Sequence, residues 1–294
     1  MTSKQTLLVT GATGHMAAML LPALEEKFAI RTVTEDLSVS DHQSLAPLFE
    51  GVDSVLHLAY HKSSPTHVYD PTVPQIEKFD DEFLNIRMAQ NIYRCSFDAG
   101  IKRIVVASSN HATDWYENAL VHTNKRDMVT PTETPLADNF YGWSKIAYES
   151  LGFVYACGSL GRSMEVVQVR IGAPREIDAA TYSADEPAAP QLGPAFQTGL
   201  TRYKRDLGAW LSKRDAQQLF LRSLTVENIN DQYGVPFLIV YGISNNTRAF
   251  WSLINAREIL GYEPQDDSEV QYATDIQRLL TGPTANVRGG RVGA

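Results

Sequence analysis

The stretch LLVTGATGHMAAMLLPALEEK, residues 7–27, decides the fold of this chain. It reads as a short apolar strand, a glycine-rich turn and a helix. Glycines let the backbone approach a pyrophosphate closely, and the helix N-terminus offers N–H groups and the positive end of a dipole. A plain turn is the alternative. We expect five residues of the turn to bind a dinucleotide: Gly11, Thr13, Gly14, His15 and Met16.

Outward from this unit, apolar strands alternate with helical patterns. The predicted strands are 29–34, 54–58, 103–107 and 165–170, and the predicted helices are 41–50, 80–99 and 141–157. This alternation predicts an α/β fold, a Rossmann-type doubly wound parallel sheet covered by helices on both faces.

After about residue 175 the pattern loosens. It leaves one later strand at 237–241 and a helix at 248–260. We expect residues 1–175 to form a cofactor-binding domain. A small C-terminal substrate-binding region, 176–294, would be partly interleaved with it and begin with a long loop, 176–203.

Composition excludes several classes of protein. The net charge of −8 argues against a nucleic-acid partner, and no apolar run is long enough to cross a bilayer. Two cysteines make no disulfide framework, and the scattered histidines lack metal-ligand spacing. The short polar N-terminus leaves no room for a signal peptide, so we expect a cytoplasmic protein.

Two acids follow the second strand, where dinucleotide folds place a carboxylate on the adenosine ribose. Glu35 and Asp36 stand about 20 residues after the glycine turn, and either could take this role. A carboxylate there favours NAD, because it would repel the 2′-phosphate of NADP. Arg31 lies nearby and could reverse that preference, so NADP stays open.

A Tyr-x-x-x-Lys pair begins a later helix. Tyr141 and Lys145 share one helix face, so the ammonium can lower the pKa of the tyrosine from its usual value of about 10. Tyr141 could then act as a general base. Ser109, at the end of the strand before, could hold the substrate oxygen that Tyr141 deprotonates. Taken alone, the Tyr-x-x-x-Lys spacing could also occur by chance, and the serine could simply cap a turn.

These motifs, in this order, resemble the extended short-chain dehydrogenase/reductase family, which includes the NAD-dependent epimerases and dehydratases. Two further segments are similar to those of uronate dehydrogenases: ASSNH at 107–111 and RDLGAWLS at 205–212. The resemblance covers about residues 7–270. It implies NAD-dependent oxidation of a uronate at C1, giving a lactone.

The resemblance also implies residue roles. Tyr141 would be the base, Lys145 its electrostatic partner and Ser109 the hydroxyl holder. The implied substrate contacts are Ser63, Asn110, His111 and Arg205, the last clamping the carboxylate. Further implied cofactor contacts are Leu37, Leu58, Ala59, Tyr60 and Asn85. Dimers through the long helices are usual in this superfamily, so a homodimer is implied as well.

The chain departs from the family pattern at Tyr60, where a small residue is usual and where tyrosine could narrow the pocket or cover the cofactor. Because the loop before Arg205 is enlarged, a sugar phosphate or sulfonate could replace the uronate as substrate. The motifs are also compatible with a nucleotide-sugar epimerase or dehydratase and with a non-catalytic cofactor sensor. The acidic run Asp80–Glu82 is expected to be a solvated helix start.

Overall fold

The computed structural model describes residues 4–33, 37, 40–62, 73–182 and 199–280. Within these ranges six strands form one parallel sheet in the order β2-β1-β3-β4-β5-β6. The strands are β1 (Thr6–Thr10), β2 (Ala29–Thr32), β3 (Ser54–His57), β4 (Arg103–Ser109), β5 (Glu165–Ile171) and β6 (Phe237–Gly242). The predicted doubly wound α/β fold is confirmed.

Helices connect and cover these strands. In the first half they are α1 (His15–Lys27), α2 (His42–Leu45), α3 (Phe79–Asp98), α4 (Asp114–Tyr116) and α5 (Phe140–Ala156). In the second half they are α6 (Gly199–Ala209), α7 (Lys213–Thr225), α8 (Ile254–Leu260), α9 (Ser268–Gln271) and α10 (Ala273–Leu280). No helix of these described ranges is long and apolar enough to span a membrane.

The side chains of β1 point alternately to the two faces of the sheet, and each face has its own hydrophobic core. Leu7 and Val9 face one layer, which includes Leu20 of α1 and Phe220 of α7. Leu8 faces the opposite layer, formed mainly by α3 and α5. All three β1 side chains are fully buried, as expected for a strand covered on both faces.

The sheet order creates a crevice at its carboxyl edge. The chain leaves β1 toward β2 on one side, and then returns to place β3 on the other side of β1. Ligands of doubly wound folds bind where the strand order reverses in this way. The ends of β1 and β3 therefore mark the expected dinucleotide site.

Three predicted boundaries are wrong. The segment 41–50 is not one helix, because α2 ends at Leu45 and a 3-10 turn containing Pro47 follows. The helix predicted at 248–260 begins only at Ile254, since Trp251 instead forms a bridge with Val129. The predicted loop 176–203 ends early, because α6 already begins at Gly199. Residues 183–198 of that loop lie outside the described residues.

Candidate active site

The glycine turn after β1 is shaped to receive a phosphate group. Gly11 has a φ of +68°, and a Cβ there would lie 2.6 Å from the backbone nitrogen of Ala59. Gly14 is the N-cap of α1, and no side chain of the described residues caps that end of the helix. The N–H groups of the first turn of α1 are therefore open to an anion, and these residues fit the pyrophosphate of NAD.

Thr10 joins the ends of β1 and β3. Its hydroxyl lies 3.2 Å from the backbone nitrogen of Leu58, 3.3 Å from that of Ala59 and 2.7 Å from Nδ1 of His57. Burial lowers the pKa of His57 to about 3, so the imidazole is neutral. This network holds Leu58 and Ala59 beside Gly11, as expected for two residues lining a dinucleotide site.

Asn85 fixes the next part of the same loop. Its side chain accepts a hydrogen bond from the backbone N–H of His61 at 2.7 Å and donates to the carbonyl oxygens of His61 and Asp81. Asn85 is fully buried in α3, so it acts by holding the loop that carries Tyr60.

The adenosine end of the predicted site is only partly described. Glu35 and Asp36, the two candidate ribose acids, lie outside the described residues, as does Ser63. Leu37 is described and buried. Arg31 donates hydrogen bonds from Nη1 to the carbonyl oxygens of Leu48 and Glu50 at 3.2 and 2.7 Å. Its guanidinium is thus used to hold the chain before β3.

The candidate reaction centre forms where α5 begins against the end of β4. Nζ of Lys145 donates a 3.2 Å hydrogen bond to the carbonyl oxygen of Ala107. A Cβ at Gly142 would lie 2.2 Å from the carbonyl oxygen of His111, so α5 packs directly on the turn after Ser109. Ser109, Tyr141 and Lys145 are thereby brought to one edge of the sheet.

Aromatic rings surround the Lys145 ammonium. Nζ lies 5.1 Å from the ring centroid of Tyr60, 5.5 Å from that of Tyr141 and 4.6 Å from that of Tyr148. Burial lowers the pKa of Lys145 to about 8, and the negative charges of Glu82 and Glu149 oppose that shift. Cation–π contacts of this kind favour the charged form of the lysine.

The turn after β4 presents polar groups next to Tyr141. His111 packs edge-on to the Tyr141 ring at 5.4 Å, and its Nδ1 lies 2.6 Å from the Asp114 carboxylate. The Ser109 hydroxyl accepts a hydrogen bond from the backbone N–H of His111. Nδ2 of the buried Asn110 has no hydrogen-bond partner among the described residues, which leaves a donor for a ligand oxygen.

Arg205 lies on α6, at the opposite side of the candidate site. Its Nε and Nη2 donate to the two carboxylate oxygens of Glu117 at 2.8 and 3.3 Å, and Nη1 lies 3.4 Å from Asp206. Burial would raise the pKa of Glu117, but Arg205 and a hydrogen bond from His122 lower it to about 2. The Arg205 guanidinium, which was expected to bind a substrate carboxylate, thus already binds a carboxylate of the protein.

Three acids of this region were not recognised in the sequence as parts of the site. Asp114 and Glu117 lie in the helical turns between two recognised motifs, and the i, i+3 spacing of His111 and Asp114 was the available signal. Glu82 was expected to be solvated, which is wrong, because it is 1% exposed. It accepts hydrogen bonds from the hydroxyl groups of Tyr60 and Ser144.

This fold and this arrangement of groups define a dinucleotide-dependent oxidoreductase. Residues 7–167 match the NAD dependent epimerase/dehydratase family. The chain belongs to this family and is an NAD-dependent dehydrogenase acting on an alcohol group.

Characterised relatives align over nearly the whole chain. An NAD-dependent glucose-6-phosphate dehydrogenase of Haloferax volcanii is 30% identical, over 90% of this chain and 94% of its own. A uronate dehydrogenase of Pseudomonas putida is 28% identical, over 90% and 85%. The crystal structure of a uronate dehydrogenase from Agrobacterium tumefaciens superposes with a TM-score of 0.69 at 23% identity, covering 99% of this chain and 97% of that one. That structural likeness concerns the fold.

Proposed function

We propose that this chain oxidises an anionic sugar at C1 to the corresponding lactone, with NAD as the hydride acceptor. One observation carries the proposal. The polar groups at the end of β4 and the start of α5 lie at the carboxyl edge of the sheet, beside the glycine turn that fits a dinucleotide. Relatives that act on sugars support the same chemistry.

In this proposal Tyr141 removes the proton of the C1 hydroxyl while Ser109 donates a hydrogen bond to the same oxygen. Lys145 stabilises the tyrosinate by its positive charge, which its ring contacts hold near Tyr141. Bound NAD supplies the carbon, C4 of its nicotinamide, that accepts the hydride. Asn110 offers its unpartnered Nδ2 to a sugar oxygen, and His111 lines the same pocket.

The charges around α6 favour an anion. Arg175 and Arg202 are about half exposed and lie 2.9 and 3.9 Å from Asp206. With Arg205 they bring three guanidinium groups to the carboxylates of Glu117 and Asp206. We propose residues 176–294 as the region that binds the anionic end of the sugar. A homodimer stays a prediction.

Two anions are candidates. A uronate is the first, because the segments 107–111 and 205–212 resemble uronate dehydrogenases and named uronate dehydrogenases are among the relatives. A sugar phosphate is the second. One relative, 30% identical, is a glucose-6-phosphate dehydrogenase, which favours a phosphate. The guanidinium of Arg205 is already paired with Glu117, whereas those of Arg175 and Arg202 are about half exposed and could bind a phosphate.

The test is NADH formation with glucuronate, galacturonate, glucose 6-phosphate, a 6-sulfonated glucose and glucose, each with NAD and with NADP. Turnover of a uronate supports the first candidate, and turnover of the phosphate or sulfonate sugar supports the second. Turnover of glucose alone would overturn the anionic part of it. If the protein binds NAD but none of these sugars yields NADH, the proposed oxidation of an anionic sugar at C1 is overturned.

A further inference from the structure

A buried acid lies next to the reaction centre and, among the described residues, is not hydrogen-bonded to a basic side chain. Glu82 occupies the first turn of α3 and is 1% exposed. Within the described part of the chain, both of its hydrogen bonds come from hydroxyl groups, those of Tyr60 and, at 2.5 Å, of Ser144. Burial raises the pKa of the Glu82 carboxyl, and the hydroxyl groups of Ser144 and Tyr60, together with the charge of Lys145, act against that shift and favour the ionised form.

Glu149, a second carboxylate near Lys145, differs from Glu82 in being paired with an arginine. It accepts two hydrogen bonds from Arg170, at 2.8 and 2.7 Å, and one from Ser108. Its charge is therefore already matched by a buried guanidinium. Glu82 accepts no hydrogen bond from a guanidinium in the described ranges, and the charge of Lys145 lowers its pKa.

Tyr60 connects the two groups. Its hydroxyl donates to Glu82, while the face of its ring lies 5.1 Å from the Lys145 ammonium. The same ring packs edge-on against Tyr141, with 5.4 Å between centroids. Asn85 fixes the loop that carries Tyr60 through the backbone of His61. Tyr60 is therefore held in place by the hydrogen bond of its hydroxyl to Glu82 and by the backbone that Asn85 fixes.

We propose that Tyr60 and Glu82 form a buried positioning pair, whose negative charge sets the pH range in which Tyr141 and Lys145 are active. The inference rests on the proposed function for its meaning in catalysis. Neither residue is assigned a contact with the sugar. They act through Lys145 and Tyr141.

Other titratable groups face the same centre. They are His57 at the end of β3, Asp81 in α3, Tyr148 and Glu149 in α5, and His111 in the turn after β4. The neutral His57 and the paired Glu149 add little uncompensated charge, and burial keeps the pKa of Tyr148 well above its usual value. Nδ1 of His111 lies 2.6 Å from the Asp114 carboxylate.

The decisive variant is Glu82→Gln, which keeps a similar shape and loses the charge. Without that charge, both the protonation of Lys145 and that of Tyr141 become less favourable. Both limbs of the pH profile of kcat/KM should then move to lower pH by about one unit. Asp80→Asn, which removes an exposed acid from the same helix turn, is the matched control and should move neither limb.

A second readout needs no substrate. Tyrosinate absorbance is followed as the pH of the NAD-free protein rises, and the curve of a Tyr141→Phe background is subtracted to isolate Tyr141. The inference predicts that Glu82→Gln shifts this difference curve to lower pH. Because the titration is independent of turnover, it still decides the inference if no sugar proves to be a substrate.

Tyr60→Phe keeps the ring on Lys145 and removes only the hydroxyl donor. Because the Tyr60 hydroxyl lowers the pKa of the Glu82 carboxyl, its loss leaves that carboxyl less ionised. Tyr60→Phe should therefore shift both readouts in the same direction as Glu82→Gln and by less, and it decides the matter if Glu82→Gln does not fold. An equal loss of activity at every pH, with an unshifted tyrosinate titration, would overturn the inference and leave the pair a purely structural role.

Discussion

The two sides of the candidate site are held together by different forces. On the cofactor side, the Thr10 hydroxyl and the backbone of Leu58 and Ala59 join neighbouring strands of the sheet. On the substrate side, Arg205 and Glu117 form an ion pair between segments 88 residues apart in the chain. The first side follows from the geometry of a parallel sheet, whereas the second depends on particular charges that other sequences can change.

This difference suggests a division of roles. Under the proposed function, the cofactor side determines the reaction and the substrate side determines which sugar is bound. Variants that disturb the first side should therefore lower the turnover of every substrate alike, and variants on the second should change stability and substrate preference.

The largest effect is expected for Tyr141→Phe. Removing the hydroxyl deletes the proposed base and leaves the ring packing of Tyr60 and His111 in place. We expect kcat to fall by about a thousand-fold while NAD binding is retained. Steady-state kinetics and NAD titration check this, with Tyr233→Phe, at an 82% exposed position, as the control. A variant with undiminished turnover would place the base elsewhere.

The next effect is expected for Gly11→Ala. The new Cβ would collide with the backbone of Ala59 and would also strain the positive φ. We expect NAD affinity to fall about ten- to a hundred-fold, measured by calorimetric titration. Gly51→Ala is a close control, because Gly51 has a φ of +67° with no atom within 4 Å of the new Cβ. It should lose some stability and keep its NAD affinity. Equal NAD affinity in both variants would argue against the glycine turn after β1 as the binding site of the pyrophosphate.

A smaller effect, on stability, is expected on the substrate side. Arg205→Met removes the guanidinium partner of the buried Glu117 carboxylate and should lower the free energy of unfolding by about 3 kcal/mol. Adding Glu117→Gln should restore most of that loss in urea unfolding. It should also restore the preference for anionic over neutral sugars, because the two substitutions together leave the net charge of the region unchanged. If the double variant has lost that preference, Arg205 itself binds the anion.

The smallest effect is expected for Arg31→Ala. Because Arg31 is bonded to the carbonyl oxygens of Leu48 and Glu50, its loss should change the preference for NAD over NADP by no more than about twofold. The ratio of kcat/KM for the two cofactors measures this. A large loss of NADP use would show that Arg31 reaches the 2′-phosphate.

The parts that the sequence predicted correctly are those with local periodicity. Alternating apolar strands and helices around the glycine turn predicted the sheet and both helix layers, and Leu7, Leu8 and Val9 are buried as that pattern requires. The first residues of the helix Gly199–Ala209 fell within the predicted loop 176–203, because that stretch is rich in Ala, Pro, Gly and Thr.

The site itself was predictable only in part. Tyr141, Lys145 and Ser109 could be placed because short motifs fix their spacing to a strand end and a helix start. The partners Glu82 and Glu117 could not, because an acid in a first helix turn usually faces water. Only the fold shows that Tyr60 and Arg205 meet them.

The most direct test of the central claim follows the hydride. The protein is incubated with NAD and with the accepted sugar deuterated at C1, and the NADH formed is analysed by mass spectrometry. The account predicts that one deuterium from each sugar oxidised appears in NADH and that the sugar is recovered as its lactone. NADH without deuterium, formed from the same labelled sugar, would contradict oxidation at C1.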